Sequence, residues 1–365
     1  VVAVTRTSLI ALGVAACLRQ PSPEGQPDAP GTHPDGARAD ARPDAFVPPD
    51  AAQPPNYMFV TSIVGTANTL AEADAFCATR AGSATGVDLG SGHYVAWLSD
   101  STTNAIDRLQ GARGWIRPDG LPFADTAADI AAGNLFYPPR IDELQQDQGM
   151  TSMTAATGTQ ADGTQDPGEC FGCPSMALGA IDGGAVAWTD NSSVTSSSTF
   201  NYYCFQIDHL AVVAPVDTHT NRVFLSSEAV GGNATLSVLD QTCQHDDGSA
   251  VAFVATSTAA ATARLMAGHG PWIRPDNVVA ISSDTKQLLA PIEVTPAGTH
   301  VPAQVWGGSL NMTATGSTGS TCNNWTSGSG SGITGLANRS TNVDSFSSGL
   351  NLSCTGSAHL YCVEP

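Results

Sequence analysis

One five-residue block constrains this chain more than any other feature: Trp115-Ile116-Arg117-Pro118-Asp119 recurs letter for letter as Trp272-Ile273-Arg274-Pro275-Asp276. Other blocks recur around it. Phe59-Val60-Thr61-Ser62 matches Phe224-Leu225-Ser226-Ser227, and Thr69-Leu70 through Cys77 matches Thr235-Leu236 through Cys243. Val95-Ala96-Trp97-Leu98 matches Val251-Ala252-Phe253-Val254, Arg108-Leu109 matches Arg264-Leu265, and Tyr203-Cys204 matches Tyr361-Cys362. Blocks kept in one order at a near-constant offset mean a duplicated domain. The copies span 57–208 and 221–365, with His209 to Thr220, which contains Pro215, expected as the linker.

Within a copy the pattern is mixed α+β. Tyr57 to Ile63 alternates and favours β residues, which predicts a strand. Thr69 with Glu72 forms a capping box for a helix to about Arg80, and that helix puts Leu70, Ala73, Phe76 and Cys77 on one face. Tyr94 to Leu98 reads as a second strand, and Ser99 or Ser101 caps a short helix to about Gln110. Pro118-Asp119-Gly120 is a tight turn. Beyond Gly149 the Gly-, Thr- and Ser-rich sequence reads as long loops between short strands, closed by a strand from Phe200 to Ile207.

The residues ahead of the copies read as an address and a spacer. Residues 1–17 carry Arg6, a short apolar run from Leu9 to Ala16, and Cys17, the layout of an export signal. Val14-Ala15-Ala16-Cys17 resembles the lipobox of bacterial lipoproteins, which implies lipidation at Cys17 and a membrane partner through that anchor. Leu18 resembles the residue that follows the acylated cysteine in lipoproteins sent to the outer membrane. Residues 18–56 are Pro-rich with little apolar surface, and such a segment stays a semi-stiff, disordered tether.

Charge and cysteine usage narrow the classes of partner. The formal charge is −19, which repels phosphate backbones and sulfated glycans and excludes nucleic acid as a natural partner. The chain has nine cysteines. With Cys17 set aside as the anchor, each copy of this exported chain holds four, which reads as two disulfides per domain.

The helix ending in cysteine, the Ala96-to-Leu109 segment, the Trp-Ile-Arg-Pro-Asp-Gly turn and the final aromatic-Tyr-Cys strand resemble bacterial lipoprotein domains related to collagen endostatin. The second copy adds Val305 to Ser327 and the His359-to-Pro365 ending. The resemblance covers nearly all of both copies and implies two tandem C-type-lectin-like domains, stabilised by disulfides. It also implies nested bridges: Cys243 with Cys362 outside and Cys322 with Cys354 inside. In the first copy Cys77 with Cys204 fits the outer bridge. At the inner position Ser196 stands where the second copy has Cys354, and Cys170 has Cys173 three residues on, so a local Cys170–Cys173 bridge is expected. The rival reading of that C-x-x-C is a redox or metal site, although a lone pair makes a poor zinc site and export disfavours a reduced dithiol.

A search for reaction chemistry returns little. No G-x-S-x-G, H-E-x-x-H or Walker sequence occurs. His245-Asp246-Asp247 reads as a solvated helix end. Trp188-Thr189-Asp190-Asn191 precedes Cys204 at a lectin-like distance, but no Glu-Pro-Asn lies a loop upstream to complete a calcium site. Asp125, Asp129, Asp142 and Glu143 read as surface charge. The repeated block admits two readings. One is a buried Trp beside a turn, with its Arg paired to a carboxylate. The other is a binding loop displayed twice through Trp115, Arg117 and Asp119 and through Trp272, Arg274 and Asp276. The expectation is a cell-surface lipoprotein that binds an extracellular glycan or protein, without catalysis, cofactor or metal. A structural envelope protein and, last, an enzyme are the alternatives.

Overall fold

The computed structural model describes residues 53–149, 153–195, 199–216, 221–266 and 269–365. The export signal, Cys17 and the tether up to residue 52 lie outside those residues, as do linker residues 217–220. The fold is mixed α+β, and its strands outnumber its helices. Residues 52–365 form one compact unit, so the two copies are packed together.

Each copy is organised around its closing strand. In the first, Thr199–Gln206 pairs antiparallel with both Asn56–Val60 and Tyr94–Ala96. In the second, Tyr361–Val363 lies between Val223–Leu225 and Val251–Ala252. Alternate residues of the opening strand feed different cores, because successive side chains point to opposite faces. Met58 and Val60 join Trp97, Trp115 and Phe205 on one side, while Phe59 joins Cys77 and Tyr202 on the other. Val223 and Leu225 against Phe224 repeat that division.

The first helix covers Leu70–Ala81 and buries Ala73, Cys77 and Ala81. Thr69 accepts the Glu72 N–H, while the Glu72 carboxylate reaches back to the N–H of Asn68 at 2.8 Å. This is the expected cap with its return bond displaced by one residue. The matching helix is Leu236–Asp246. A disulfide ties each helix to its closing strand, Cys77–Cys204 and Cys243–Cys362. The inner bridges are Cys322–Cys354 and Cys170–Cys173. All eight cysteines of the two copies are therefore paired as the family resemblance and the spacing implied.

A polar staple repeats beside each bridge. Asp74 accepts the Ala96 N–H at 2.8 Å and the Arg108 guanidinium at 2.5 Å. Asp240 accepts the Ala252 N–H at 3.0 Å and Arg264 at 2.7 Å. Each aspartate lies one helical turn before its cysteine and locks the helix to the second strand. The short helix of the first copy is a 3-10 turn, Ile106–Leu109, and Ser99 accepts the N–H of Ala105 at its start.

The Gly-, Thr- and Ser-rich stretches form more sheet than expected. Ser175–Ala180 pairs with Thr154–Ala156 and Ser192–Thr195, and Ser331–Leu336 pairs with Gln304–Trp306 and Leu350–Ser353. Gly179 and Gly335 occupy matching places in the central strands. A Cβ there would lie 1.7 Å from the Trp188 carbonyl oxygen and 1.9 Å from that of Ser345, so no side chain fits.

Asp142 and Glu143 are not surface charge. Both are wholly buried. Glu143 accepts the Ser62 N–H at 2.9 Å and the Ser62 hydroxyl at 2.6 Å, and pairs with Arg80. Asp142 accepts the backbone N–H groups of Leu144 and Gln146. They satisfy donors of the turn that follows and of the loop after the first strand, which regular strand pairing leaves open. Asp129 closes a capping box with Thr126, and Asp125 pairs with Arg113.

The bridges differ in the chain they close, with sequence separations of 119 for Cys243–Cys362 and 3 for Cys170–Cys173. Loop-closure entropy then predicts that replacing both cysteines by Ala costs about 5 kcal/mol at the outer bridge and about 2 kcal/mol at the local one. Denaturant unfolding of the two double variants tests that order, and equal losses would show that native packing rather than chain entropy sets the contribution.

Candidate binding site

The repeated block lies inside the molecule. Trp115 donates its indole N–H to the Gln206 carbonyl at 2.9 Å, and Trp272 donates to that of Glu364 at 2.8 Å. Arg117 is 3% exposed, donates to the Pro138 carbonyl at 2.9 Å and pairs with Asp119. Arg274 is 2% exposed, donates to that of Pro291 at 3.0 Å and pairs with Asp276. The expectation of a twice-displayed binding loop is thus corrected. Both Trp and both Arg side chains are consumed in packing, which leaves only the carboxylate edges of Asp119 and Asp276 partly exposed.

Arg274 has a further partner, the Leu135 carbonyl of the first copy, at 2.9 Å. In return Arg140 of the first copy donates to the Leu288 carbonyl of the second at 3.1 Å. Leu135 and Leu288 stand three residues before matching prolines, Pro138 and Pro291, so they are equivalent positions. The same reciprocity recurs nearby. Gly183 bridges Arg339 antiparallel, Gly184 donates its N–H to the Asn338 carbonyl at 2.8 Å, and Ser340 donates to that of Asp182 at 3.0 Å. Aligning Ser175–Ala180 with Ser331–Leu336 makes 182 equivalent to 338, 183 to 339 and 184 to 340. The copies therefore meet about a local two-fold axis through Gly183 and Arg339, as in an isologous dimer interface.

Buried charge lines this seam. Arg339 reaches Asp182 at 2.8 Å, and Glu293 accepts the Ala185 N–H at 2.9 Å and faces His300 at 3.1 Å. Glycine at 184 leaves room for the Glu293 carboxylate, because a Cβ would lie 2.2 Å from it and Glu293 would have to shift. Burial pushes the Asp182 carboxyl above its ordinary range, with Arg339 opposing that shift.

One side of the seam departs from two-fold symmetry. The Tyr137 hydroxyl accepts the Val279 N–H at 3.0 Å. The positions equivalent to Tyr137 and Val279 are Ala290 and Pro122, which lack the hydroxyl and the N–H respectively. Burial raises the Tyr137 phenol above its ordinary range, so it stays a neutral hydroxyl, and Arg117 packs over its ring at 5.3 Å.

Beside Tyr137 opens an apolar slot of about 390 Å³, floored by Ile116, Leu121, Pro122, Tyr137 and Val279. Its outer wall is Val212–Val216, which belongs to the expected linker. That segment is a strap laid against the first copy. Arg113 donates its N–H to the His209 carbonyl, and Val213 donates its N–H to Asp125 at 3.0 Å. Leu210, Val212 and Val216 on the strap are 60%, 73% and 78% exposed. The sequence reading missed this site, since a Pro-containing apolar stretch between two copies looks like a spacer. The available signal was the density of Val and Leu from 210 to 216.

The other candidates are accounted for. Cys170 is fully buried in its bridge. Trp188 and Thr189 are buried, Thr189 accepts the Trp97 indole N–H at 2.8 Å, and Asp190 faces Asp166 and Glu169. Among the described residues no group of three or more His, Cys, Asp or Glu is placed to hold a metal ion, and no helix is long and apolar enough to cross a membrane. His245 and Asp246 line a shallow polar hollow with Glu228 at the end of the second copy's helix. Cys17 lies outside the described residues. No protein-family model and no curated protein matches this chain.

Two outcomes follow for the seam. Tyr137→Phe removes the acceptor of the half-buried Val279 N–H and is expected to cost about 1 kcal/mol. Thermal melts check this, and an unchanged Tm would remove the bond from the seam. Asp182 holds its proton more tightly folded than unfolded, so its contribution to stability is largest below the ordinary value of 3.8 and is lost as pH rises through the folded pKa. Asp182→Asn should flatten that part of the stability-against-pH curve, and an unaltered slope would assign the titration elsewhere.

Proposed function

We propose that this chain is a displayed binding protein of the bacterial envelope: a lipoprotein anchored at Cys17, with a Pro-rich tether and two fused endostatin-related, C-type-lectin-like domains, placed at the outer membrane or cell surface. Its role is to hold an extracellular ligand without transforming it. The observation that carries this reading is the apolar slot beneath the strap. Ligand sites are concave, mostly apolar, and favour the junctions between domains. This slot has all three properties, and its volume falls in the usual range of about 300–1,000 Å³. Its one functional polar group on the floor, the Tyr137 hydroxyl, is occupied by the Val279 N–H, which suits binding better than bond cleavage. Large exposed aliphatics on an otherwise acidic surface support the same view, because clustered apolar exposure marks interaction sites.

The test is a glycan and matrix-protein array probed with the oxidised chain carrying Cys17→Ala, beside a second version that also carries Ala214→Trp. Ala214 is exposed on the slot wall, so the indole fills the slot without entering a core. Capture by the first version and loss of at least about tenfold in affinity by the second, roughly 1.4 kcal/mol, is the expected result. Equal capture by both would move the site away from the slot, and no capture by either would favour a structural envelope role.

A further inference from the structure

We propose that the strap is a strand-addition edge and that its occupant is an extended, cationic peptide segment with alternating apolar side chains. This rests on the binding reading above and deepens it by naming the partner class.

Burial along the strap alternates residue by residue from Leu210 to Val216, with the even-numbered residues exposed and the odd-numbered ones at least partly covered. That is the period of an extended strand. The backbone contacts carry the same parity. The His209 carbonyl accepts from Arg113, the Val213 N–H donates to Asp125, and the Ala211 carbonyl presses on Gly114, so the odd-numbered polar groups face the first copy. In a strand the next residue's N–H and C=O then face the other way. Among the described residues no hydrogen bond is made by the N–H of Val212, Ala214 or Val216. Pro215, which would interrupt an edge, is in the inward register, where the missing N–H costs the outward edge nothing.

An unpaired edge of this kind is a template for another strand, which natural chains blunt with charge, proline or a covering element. Here the Leu210 N–H is taken by the Gln53 side chain at 3.3 Å, whereas among the described residues the outward edge from Val212 to Val216 has none of these, and Val212 and Val216 on it have more than half of their surface exposed. In strand addition the backbone supplies affinity while pockets take alternate side chains, and Val212, Ala214 and Val216, whose N–H groups form the outward edge, also line the slot. Charge selects the partner. Residues 57–365 carry a net −17, counted from 10 basic and 27 acidic residues; Asp208, next to the start of the strap, is an exposed acid, and Asp119 beside the slot keeps one carboxylate edge partly exposed. A cationic segment is steered toward that field, whereas a second copy of the chain is repelled by it.

The probe is a short synthetic peptide alternating Val and Thr with Lys at both ends, read by fluorescence anisotropy against the oxidised chain carrying Cys17→Ala. An analogue N-methylated at alternate residues keeps the side chains and removes the edge hydrogen bonds. An analogue with Glu in place of Lys reverses the charge. The expected result is binding of the parent peptide, weakened at least about tenfold by N-methylation, by the Glu exchange, and by Ala214→Pro, which deletes an outward N–H beside Pro215. Melting curves of the Ala214→Pro chain confirm that the fold is intact, and the N-methylated peptide tests the edge without any change to the protein. Equal binding of parent and N-methylated peptides would overturn strand addition. Self-association lost in Ala214→Pro, without peptide binding, would assign the edge to a second copy and overturn the partner. An apolar dye that enters the slot and is excluded by Ala214→Trp, with no peptide bound, would leave the binding reading standing and sink this inference alone. Failure of the dye as well would sink both.

Discussion

Two backbone hydrogen bonds exchanged between Gly184 and Asn338 and between Ser340 and Asp182 set the geometry on which the rest of this molecule depends. They join equivalent positions, so they fix a two-fold relation between the copies. Once that relation is set, the guanidinium groups of Arg140 and Arg274 fall beside the matching carbonyls of Leu288 and Leu135. A buried N–H or C=O without a partner is costly, and the turns that meet at the seam have no ladder of their own. The copies satisfy each other's turns, which is why the molecule packs as one body. The same requirement explains why the Trp-Ile-Arg-Pro-Asp block repeats without change: each Trp and Arg holds its own copy together, and one Arg also reaches across.

The sequence made the covalent and periodic features legible. Duplication was visible because blocks recur in order, and the four disulfides followed from cysteine placement and the family resemblance. The staple residues Asp74 and Asp240 were also within reach, since each precedes its cysteine by the same interval, but an acidic residue on a helix reads by default as solvated. The seam was not legible. Its partners lie far apart along the chain, such as Asp182 and Arg339, and the equivalent residues Arg140 and Glu293 differ in charge. Burial of Asp142 and Glu143 was hidden for a related reason. Their partners are backbone N–H groups and the side chains of Ser62 and Arg80, which no local pattern announces. The slot was missed because its wall has the composition of a spacer.

Copies joined in one chain need not associate from free solution. The strap keeps their effective concentration high, in the range of about millimolar for short linkers, so the seam can lose symmetry on one side and still close. The differences found there are consistent with that freedom. Tyr137 faces Val279 where Ala290 and Pro122 stand at the equivalent places, and Arg140 donates across the seam where Glu293 accepts. Two separate, identical chains could not carry such a division of roles, because every change would appear on both sides of the axis. Asymmetry between the copies places a hydroxyl on the floor of this slot, where the equivalent position of the second copy holds Ala290. The connection that makes that asymmetry tolerable also forms the outer wall of the slot. Tethering and recognition therefore fall on the same stretch of backbone, and a change from Leu210 to Val216 made to alter one will be felt by the other.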